Sequence, residues 1–69
     1  MFRQLVDRTI RIVSREREVT ISRLAYLLNV SPSKASYLLR AASEIEPRIA
    51  YIRGRATWLD DEWDGQKTD

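Results

Sequence analysis

The chain has 69 residues, of which 43% are hydrophobic and 32% charged, with a formal net charge of +2, a composition that suits one small domain with a thin core. It contains no cysteine and no histidine, which excludes disulfide bonds, thiol chemistry and the usual zinc ligands and removes the commonest general base. No apolar run approaches the roughly 18 residues of a membrane span, and residues 1–4 do not resemble a secretion signal, so we expect a cytoplasmic protein without membrane contact.

The first predicted element is an amphipathic helix that ends near Arg15. Apolar and small side chains recur at the spacing of one helix face, and polar side chains occupy the other face. Asp7 and Arg11 are one turn apart and can form an ion pair. The expected buried face consists of Phe2, Leu5, Val6, Thr9, Ile10 and Val13, and the polar face of Arg3, Gln4, Asp7, Arg8, Arg11, Ser14 and Arg15. We interpret the polar face first as a solvated surface and second as a surface for phosphate or a partner.

A short β-branched segment and a second helix follow. Residues 19–21, Val-Thr-Ile, predict a three-residue strand or an extended lead-in. Ser22 is the expected N-cap of the second helix. The expected buried side of this helix consists of Leu24, Ala25, Leu27 and Leu28. Asn29 is expected to end the helix in the left-handed conformation, with Val30 buried in the turn.

Residues 31–43 predict a third helix. Ser31 suits the N-cap and Pro32 suits the first turn, where its missing N–H needs no partner. The apolar stripe of this helix consists of Ala35, Leu38, Leu39 and Ala42. At about 100° per residue, the outward arc consists of Ser33, Ser36, Tyr37 and Arg40, with Lys34 at its edge.

A β-hairpin is predicted after the third helix, because Pro47 blocks further helix. Residues 48–52 and 56–59 form its strands, and 53–55, Arg-Gly-Arg, form its turn. Two strands this short need a third strand or a helical support, and the segment before the second helix is the candidate. Trp58 is expected to close the small core from the last strand.

The stretch from Ile21 to Arg40 resembles the helix-turn-helix of DNA-binding proteins. Asn29 stands where that family usually has glycine, and alanine at position 25 suits the close helix crossing there. The positions that the family buries carry Leu24, Ala25, Leu28, Val30, Ala35 and Leu38. With the hairpin added, the chain resembles a winged helix. The resemblance implies an α+β, mainly helical fold over residues 1–59, a three-helix core with a β-hairpin wing, and leaves residues 60–69 as an acidic C-terminal tail.

The charge is unevenly divided along the chain. Residues 60–69 contain five carboxylates and one lysine, a net charge of −4, whereas the preceding residues carry a net charge of +6. Ten of the twelve basic residues are arginine, whose guanidinium forks onto phosphate and guanine. A basic body indicates a polyanionic partner. We interpret Trp63, in the acidic tail, as a contact to the first helix, to a dimer partner or to another protein.

The resemblance implies binding of double-stranded DNA, with helix 31–43 in the major groove and the hairpin turn on the backbone or in the minor groove. The expected DNA-binding residues are Arg23, Ser31, Ser33, Lys34, Ser36, Tyr37, Arg40, Arg53, Gly54 and Arg55. One such unit makes few base contacts, so we expect a homodimer, joined through the first helix or the tail, that regulates transcription and is associated with the nucleoid. We expect no catalytic residues, no metal site and no cofactor.

Other interpretations stay open at this point. Winged helices also act as protein–protein modules, so an adaptor subunit of a transcription or replication complex is an alternative, favoured by an exposed apolar patch. Non-specific architectural DNA binding predicts an affinity indifferent to sequence. An RNA partner is the least favoured, because the strands lack stacked aromatic side chains. The candidate residues also have structural roles: helix capping for Ser31 and Ser33, packing on the wing for Tyr37, and solvation for Arg40.

Overall fold

A computed structural model describes residues 2–59. The elements are, in chain order, α1 (Phe2–Glu16), β1 (Glu18–Thr20), α2 (Ile21–Leu28), α3 (Pro32–Ile45), β2 (Ile49–Ile52) and β3 (Arg55–Trp58). The fold is therefore α+β and mainly helical, an architecture compatible with a winged helix. None of the three helices is long and apolar enough to cross a bilayer. The acidic tail and Trp63 lie outside the described residues.

Helix α1 is amphipathic, as its periodicity predicts. Its fully buried residues are Val6, Thr9 and Val13. The hydroxyl of Thr9 donates to the carbonyl of Leu5 at 2.8 Å, which satisfies the buried polar atom. Phe2 was predicted on the buried face, and this is wrong: the side chain is 41% exposed. Because it lies in the first turn, Phe2 reaches past the core, and its ring packs on that of Tyr37, with 5.3 Å between centroids.

Strand β1 and the start of α2 both lie slightly earlier than predicted. Strand β1 ends at Thr20, because Ile21 already belongs to α2. Thr20 is the N-cap, and its Oγ1 accepts from the N–H of Arg23 at 3.2 Å. The prediction that Ser22 caps the helix was wrong. Both hydroxyls are suitable in sequence, but pairing of β1 with β3 holds Thr20 in the extended backbone that an N-cap needs.

The turn between α2 and α3 has the predicted backbone at Asn29, although Val30, which was expected to be buried, is only partly buried against the core. Asn29 adopts the left-handed conformation, with φ 57° and ψ 50°. The N–H of Asn29 donates to the carbonyl of Tyr26 at 3.3 Å, and the N–H of Val30 to that of Ala25 at 3.1 Å. These two bonds form a Schellman motif, which satisfies carbonyls at the end of α2. The turn therefore sets the angle at which α3 leaves α2.

Helix α3 provides the centre of the core. All four residues of its predicted stripe have no exposed surface, and the helix continues two residues beyond the predicted end at 43. Every other element adds at least one buried side chain. The buried hydrophobic residues are Val6, Val13, Val19, Leu24, Leu28, Ala35, Leu38, Leu39, Ala42, Ile49 and Ala56. All six elements therefore pack on one common hydrophobic core.

The sheet is antiparallel, with the strand order β1-β3-β2. The segment before α2 is therefore the third strand, as proposed from the sequence, and Val19 and Tyr51 pair with Ala56 from opposite sides. Strand β3 begins at Arg55, so this residue belongs to the strand and the turn is shorter than predicted. Trp58 is half-buried against the core, as predicted, and the guanidinium of Arg48 lies 6.0 Å from the ring centroid.

Candidate nucleic-acid interface

The start of α3 is held by its cap and is open to solvent. The Oγ of Ser31 accepts from the N–H of Lys34 at 3.2 Å, and Pro32 opens the helix. The hydroxyl of Ser31 keeps its own proton for a ligand, because capping uses it only as an acceptor. The side chains of Ser33 and Lys34 are exposed. This end of α3 therefore presents small hydroxyls and one cation.

The outward face of α3 continues with Tyr37 and Arg40. Tyr37 is 60% exposed, although its ring packs on that of Phe2 of α1. Arg40 is exposed, and within residues 2–59 its side chain makes no ion pair or hydrogen bond. Glu44 is the first carboxylate on this helix and lies one turn beyond Arg40. The first two to three turns of α3 thus carry positive charge alone.

Ser36 differs from its predicted role. It was expected on the outward arc, but it is half-buried, and its Oγ lies 3.0 Å from the Oη of Tyr51 in β2. This hydrogen bond joins α3 to the wing. Arg40 lies one turn after Ser36, and Arg53 lies two residues after Tyr51. The contact therefore fixes β2 of the wing against α3.

The wing ends in a turn of two residues. Arg53 and Gly54 both have positive φ, 51° and 75°, as a type I′ hairpin turn requires. The carbonyl of Gly54 accepts from the N–H of Ile21 at 3.2 Å, and a Cβ at Gly54 would lie 3.4 Å from Cδ1 of Ile21. The turn is thus anchored on the start of α2. The side chain of Arg53 is exposed and makes no ion pair or hydrogen bond with the other described residues.

Arg23 already has an intramolecular partner. Its Nε and Nη2 donate to the two carboxylate oxygens of Glu16, each at 3.2 Å. The hydrogen bond from Arg23 lowers the pKa of Glu16 below its ordinary value of 4.5. Desolvation, the second-largest effect, opposes this shift, and the charges of Arg23 and Arg15 add smaller lowering contributions. The same bond raises the pKa of Arg23. A phosphate contact by Arg23 therefore requires exchange of one anion for another.

Arg55, like Arg23, has an intramolecular carboxylate partner. Its Nη1 lies 2.9 Å from Oε2 of Glu18 across the β1–β3 pair, a diagonal contact, because the register partner of Glu18 is Thr57, two residues after Arg55. The side chains are 60% and 52% exposed. Exposed ion pairs contribute about 0–1 kcal/mol, so Arg55 can release Glu18 for a phosphate with little loss. The predicted contacts of Arg23 and Arg55 with DNA remain predictions.

Tyr51 is the residue at this surface that sequence reasoning missed. A tyrosine in a four-residue strand has no periodicity that identifies its partner, and Ser36 is 15 residues away. Its importance follows only from the packing of β2 on α3.

The residues brought together here are suited to phosphates and base edges. We call Ser33, Lys34, Tyr37, Arg40 and Arg53 the recognition surface. Its hydroxyls donate and accept hydrogen bonds, and its guanidinium groups fork onto phosphate or guanine. A scan against known protein families and comparisons with characterised proteins and with solved structures found no match for this chain.

Proposed function

We propose that the domain is a winged helix that binds double-stranded DNA. Helix α3 enters the major groove by its first turns, which are free of carboxylates, and Arg53 at the wing turn contacts the backbone or the minor groove. Arg40 reads guanine or clamps a phosphate, and Tyr37 donates to a phosphate or contacts a thymine methyl. Arg23 and Arg55 contribute phosphate contacts after they exchange their carboxylate partners.

The proposal rests on one observation above all. Arg40 and Arg53 are exposed, and neither has a partner among residues 2–59, although five carboxylates are present there. The Ser36–Tyr51 hydrogen bond fixes β2, which leads into the turn with Arg53, against α3, which carries Arg40. A surface that keeps two guanidinium groups without a counter-ion, beside hydroxyls, supports recognition of a polyanion with hydrogen-bonding edges.

The proposed biological role is a small transcriptional regulator that acts as a homodimer at the nucleoid. A single α3 reaches only a few base pairs, each worth about 1–3 kcal/mol, so two copies are needed for useful specificity. The mechanism is occlusion or recruitment at a promoter.

The decisive experiment is selection of bound duplexes from a random library, with sequencing, at low and at physiological salt. We expect an enriched motif with two-fold symmetry that persists at higher salt. The matched variant Arg40→Ala should lose the enrichment, whereas Arg3→Ala, the same change on an exposed arginine of α1, should keep it. Binding of duplexes without an enriched motif would contradict sequence-specific regulation and favour non-specific architectural binding. Absence of binding at both salt concentrations would contradict the DNA-binding proposal.

A second candidate function, a protein–protein adaptor, is favoured by the exposed apolar side chains. The described residues with large exposed hydrophobic side chains are Phe2, Tyr26, Tyr37, Ile45, Ile52 and Leu59. Phe2 and Tyr37 are in contact and border Arg40 on α3, which makes this pair the starting point of such a docking surface. Failure of the library selection, together with loss of partner binding in Tyr37→Ala, would support this candidate.

A further inference from the structure

A second basic surface lies between α1 and α2. An open groove of about 280 Å³ is lined by Arg8, Arg11, Ile12, Arg15, Glu16 and Leu27. We call this the arginine groove. It uses none of the residues of the recognition surface. The three arginines fall within an arc of about 60° on α1, because a helix turns about 100° per residue.

Two of the three arginines of this groove have no counter-ion among the described residues. Within residues 2–59, Arg8 and Arg11 make no ion pair or hydrogen bond through their side chains, and the Asp7–Arg11 pair that the spacing allows is not formed. Glu16 is the carboxylate that lines the groove, and Arg23 of α2 occupies both of its oxygens. Like charges three or four residues apart on a helix repel each other and destabilise it. Helix α1 therefore carries an unbalanced positive stripe that an external anion would relieve.

The groove faces away from α3. The buried face of α1, with Val6, Thr9 and Val13, is centred about 160° from the arginine arc, and this face packs on α3 and the rest of the core. The arginine groove and the recognition surface share no residue, so we expect a duplex docked on the recognition surface to leave the arginine groove accessible to a second polyanion.

The chemistry of the groove matches a phosphodiester backbone. Arg8 and Arg15 are about 10 Å apart along the helix axis. Each DNA strand carries a phosphate about every 3.4 Å of axis, so three guanidinium groups over this length face several phosphates. Ile12 and Leu27 support the aliphatic parts of the arginines. The groove offers forked cations and no hydroxyl among its lining residues, an arrangement for charge and not for base edges.

We propose that the arginine groove binds the phosphate backbone of a second nucleic-acid duplex, independently of its sequence, so that one protein molecule bridges two duplexes. The inference rests on the proposed function for the first duplex, which the recognition surface holds. The second contact neutralises about three phosphates, so its affinity should fall steeply with salt, with a slope of about −3 in log K against log salt concentration.

The test is a bridging assay with the full chain. A biotinylated duplex that carries the selected motif is immobilised, saturated with protein and washed, and a labelled duplex of unrelated sequence is then added. Wild-type protein should capture the labelled duplex at low salt. The triple variant Arg8→Gln, Arg11→Gln, Arg15→Gln should hold the first duplex but capture at least about tenfold less of the second, as expected when three phosphate contacts are lost. Glutamine keeps the helix propensity, so thermal unfolding should show an intact fold.

Two further variants separate charge from other causes. The triple variant Arg8→Lys, Arg11→Lys, Arg15→Lys retains the charge without the fork and should capture nearly as much as the wild type. Arg3→Gln removes one charge of α1 outside the groove and should capture like the wild type. Capture by the triple glutamine variant equal to that of the wild type would overturn the proposal and assign bridging to a dimer. Capture of a synthetic peptide with the sequence of residues 60–69, but of no second duplex, would overturn it in favour of an acidic peptide ligand.

Failure of the proposed function gives a different result. If the recognition surface does not bind DNA, the double variant Arg40→Gln, Arg53→Gln should still bind a single duplex. The triple glutamine variant should then lose single-duplex binding, and the wild-type protein should not bridge two duplexes. If only the groove proposal is wrong, wild-type protein binds the motif through Arg40 and Arg53 but captures no second duplex.

Discussion

The recognition surface and the arginine groove are both basic, but their cations are arranged in different ways. On α3 and the wing, single cations are separated by hydroxyls and a tyrosine, and the neighbouring Arg23 and Arg55 are held by carboxylates. In the groove, three arginines follow one another along α1. Spaced donors of mixed type can discriminate base edges, whereas a continuous row of guanidinium groups responds to phosphate density alone. The distribution of charge and hydrogen-bonding groups, more than net charge, distinguishes the two surfaces.

The largest expected effect is on the stability of the hydrophobic core, on which both surfaces depend. Leu38 of α3 has no exposed surface and belongs to the one core on which all the elements pack. We expect Leu38→Ala to lower the free energy of unfolding by about 2–5 kcal/mol, measured by urea denaturation, and to reduce binding at both surfaces in parallel. Ile45→Ala, on the same helix but 59% exposed, should change stability by less than about 0.5 kcal/mol. Equal stability of the two variants would refute a common core.

The next effect separates base reading from phosphate binding within the recognition surface. Arg40→Ala should reduce the preference for the selected duplex over a scrambled one by about 1–3 kcal/mol. Arg53→Ala should weaken both duplexes alike and reduce the salt slope by about 1. Titrations at several salt concentrations measure both quantities. Similar losses in the two variants would remove this division of roles.

A smaller effect concerns the anchoring of the wing. Gly54 has φ 75°, so Gly54→Ala should destabilise the domain by about 1–2 kcal/mol through strain at a left-handed position. Gly54→Asn should be milder, because asparagine tolerates this conformation. Thermal unfolding measures the two variants. Binding of a second duplex to the arginine groove should be unchanged in protein that remains folded, since the groove does not include the wing.

The smallest effect concerns Glu16, which lines the groove and also holds Arg23. Its pKa is lowered in the folded protein, so the Glu16–Arg23 pair stabilises the fold above pH 4.5 and this contribution is lost as the pH falls through the lowered pKa. In Glu16→Gln, the stability of the fold should therefore change less with pH in this acidic range than it does in the wild type, as measured by thermal unfolding at a series of pH values. This substitution should also raise duplex affinity slightly at neutral pH, because Arg23 becomes available. The gain should vanish when Arg23→Ala is added, and a gain that persists would place the effect in the groove.

Much of the fold was predictable because it depends on neighbours in sequence. The stripe of α3 was identified in full, since a period of 3.6 residues marks the buried face of a helix. Asn29 and the Ser31–Pro32 start of α3 were also correct, because left-handed exits and N-caps depend on one or two side chains. The third strand was anticipated for a similar reason, as two short strands need support.

The predictions that were wrong concern residues whose environment depends on distant parts of the chain. Ser22 and Thr20 compete for one cap, and the register of β1 on β3 decides between them. Phe2 follows the helical period, yet no core is left beneath the first turn of α1 to cover it. Ser36 fits the outward arc until Tyr51 packs against it. At the site, the candidate residues were named from sequence, but their partners were not.

The sequence by itself determined the elements, the buried stripe of α3, the turn between α2 and α3 and the excess of arginine, because these follow from local backbone preference, periodicity and composition. Tertiary structure alone decided which arginines are paired. Arg23 meets Glu16 seven residues away, and Arg55 meets Glu18 across 37 residues. It also decided that Arg8, Arg11 and Arg15 line a groove with Leu27 of α2. A guanidinium becomes a site or a structural ion pair according to what the fold brings within about 4 Å of it, and one-dimensional spacing does not specify that distance.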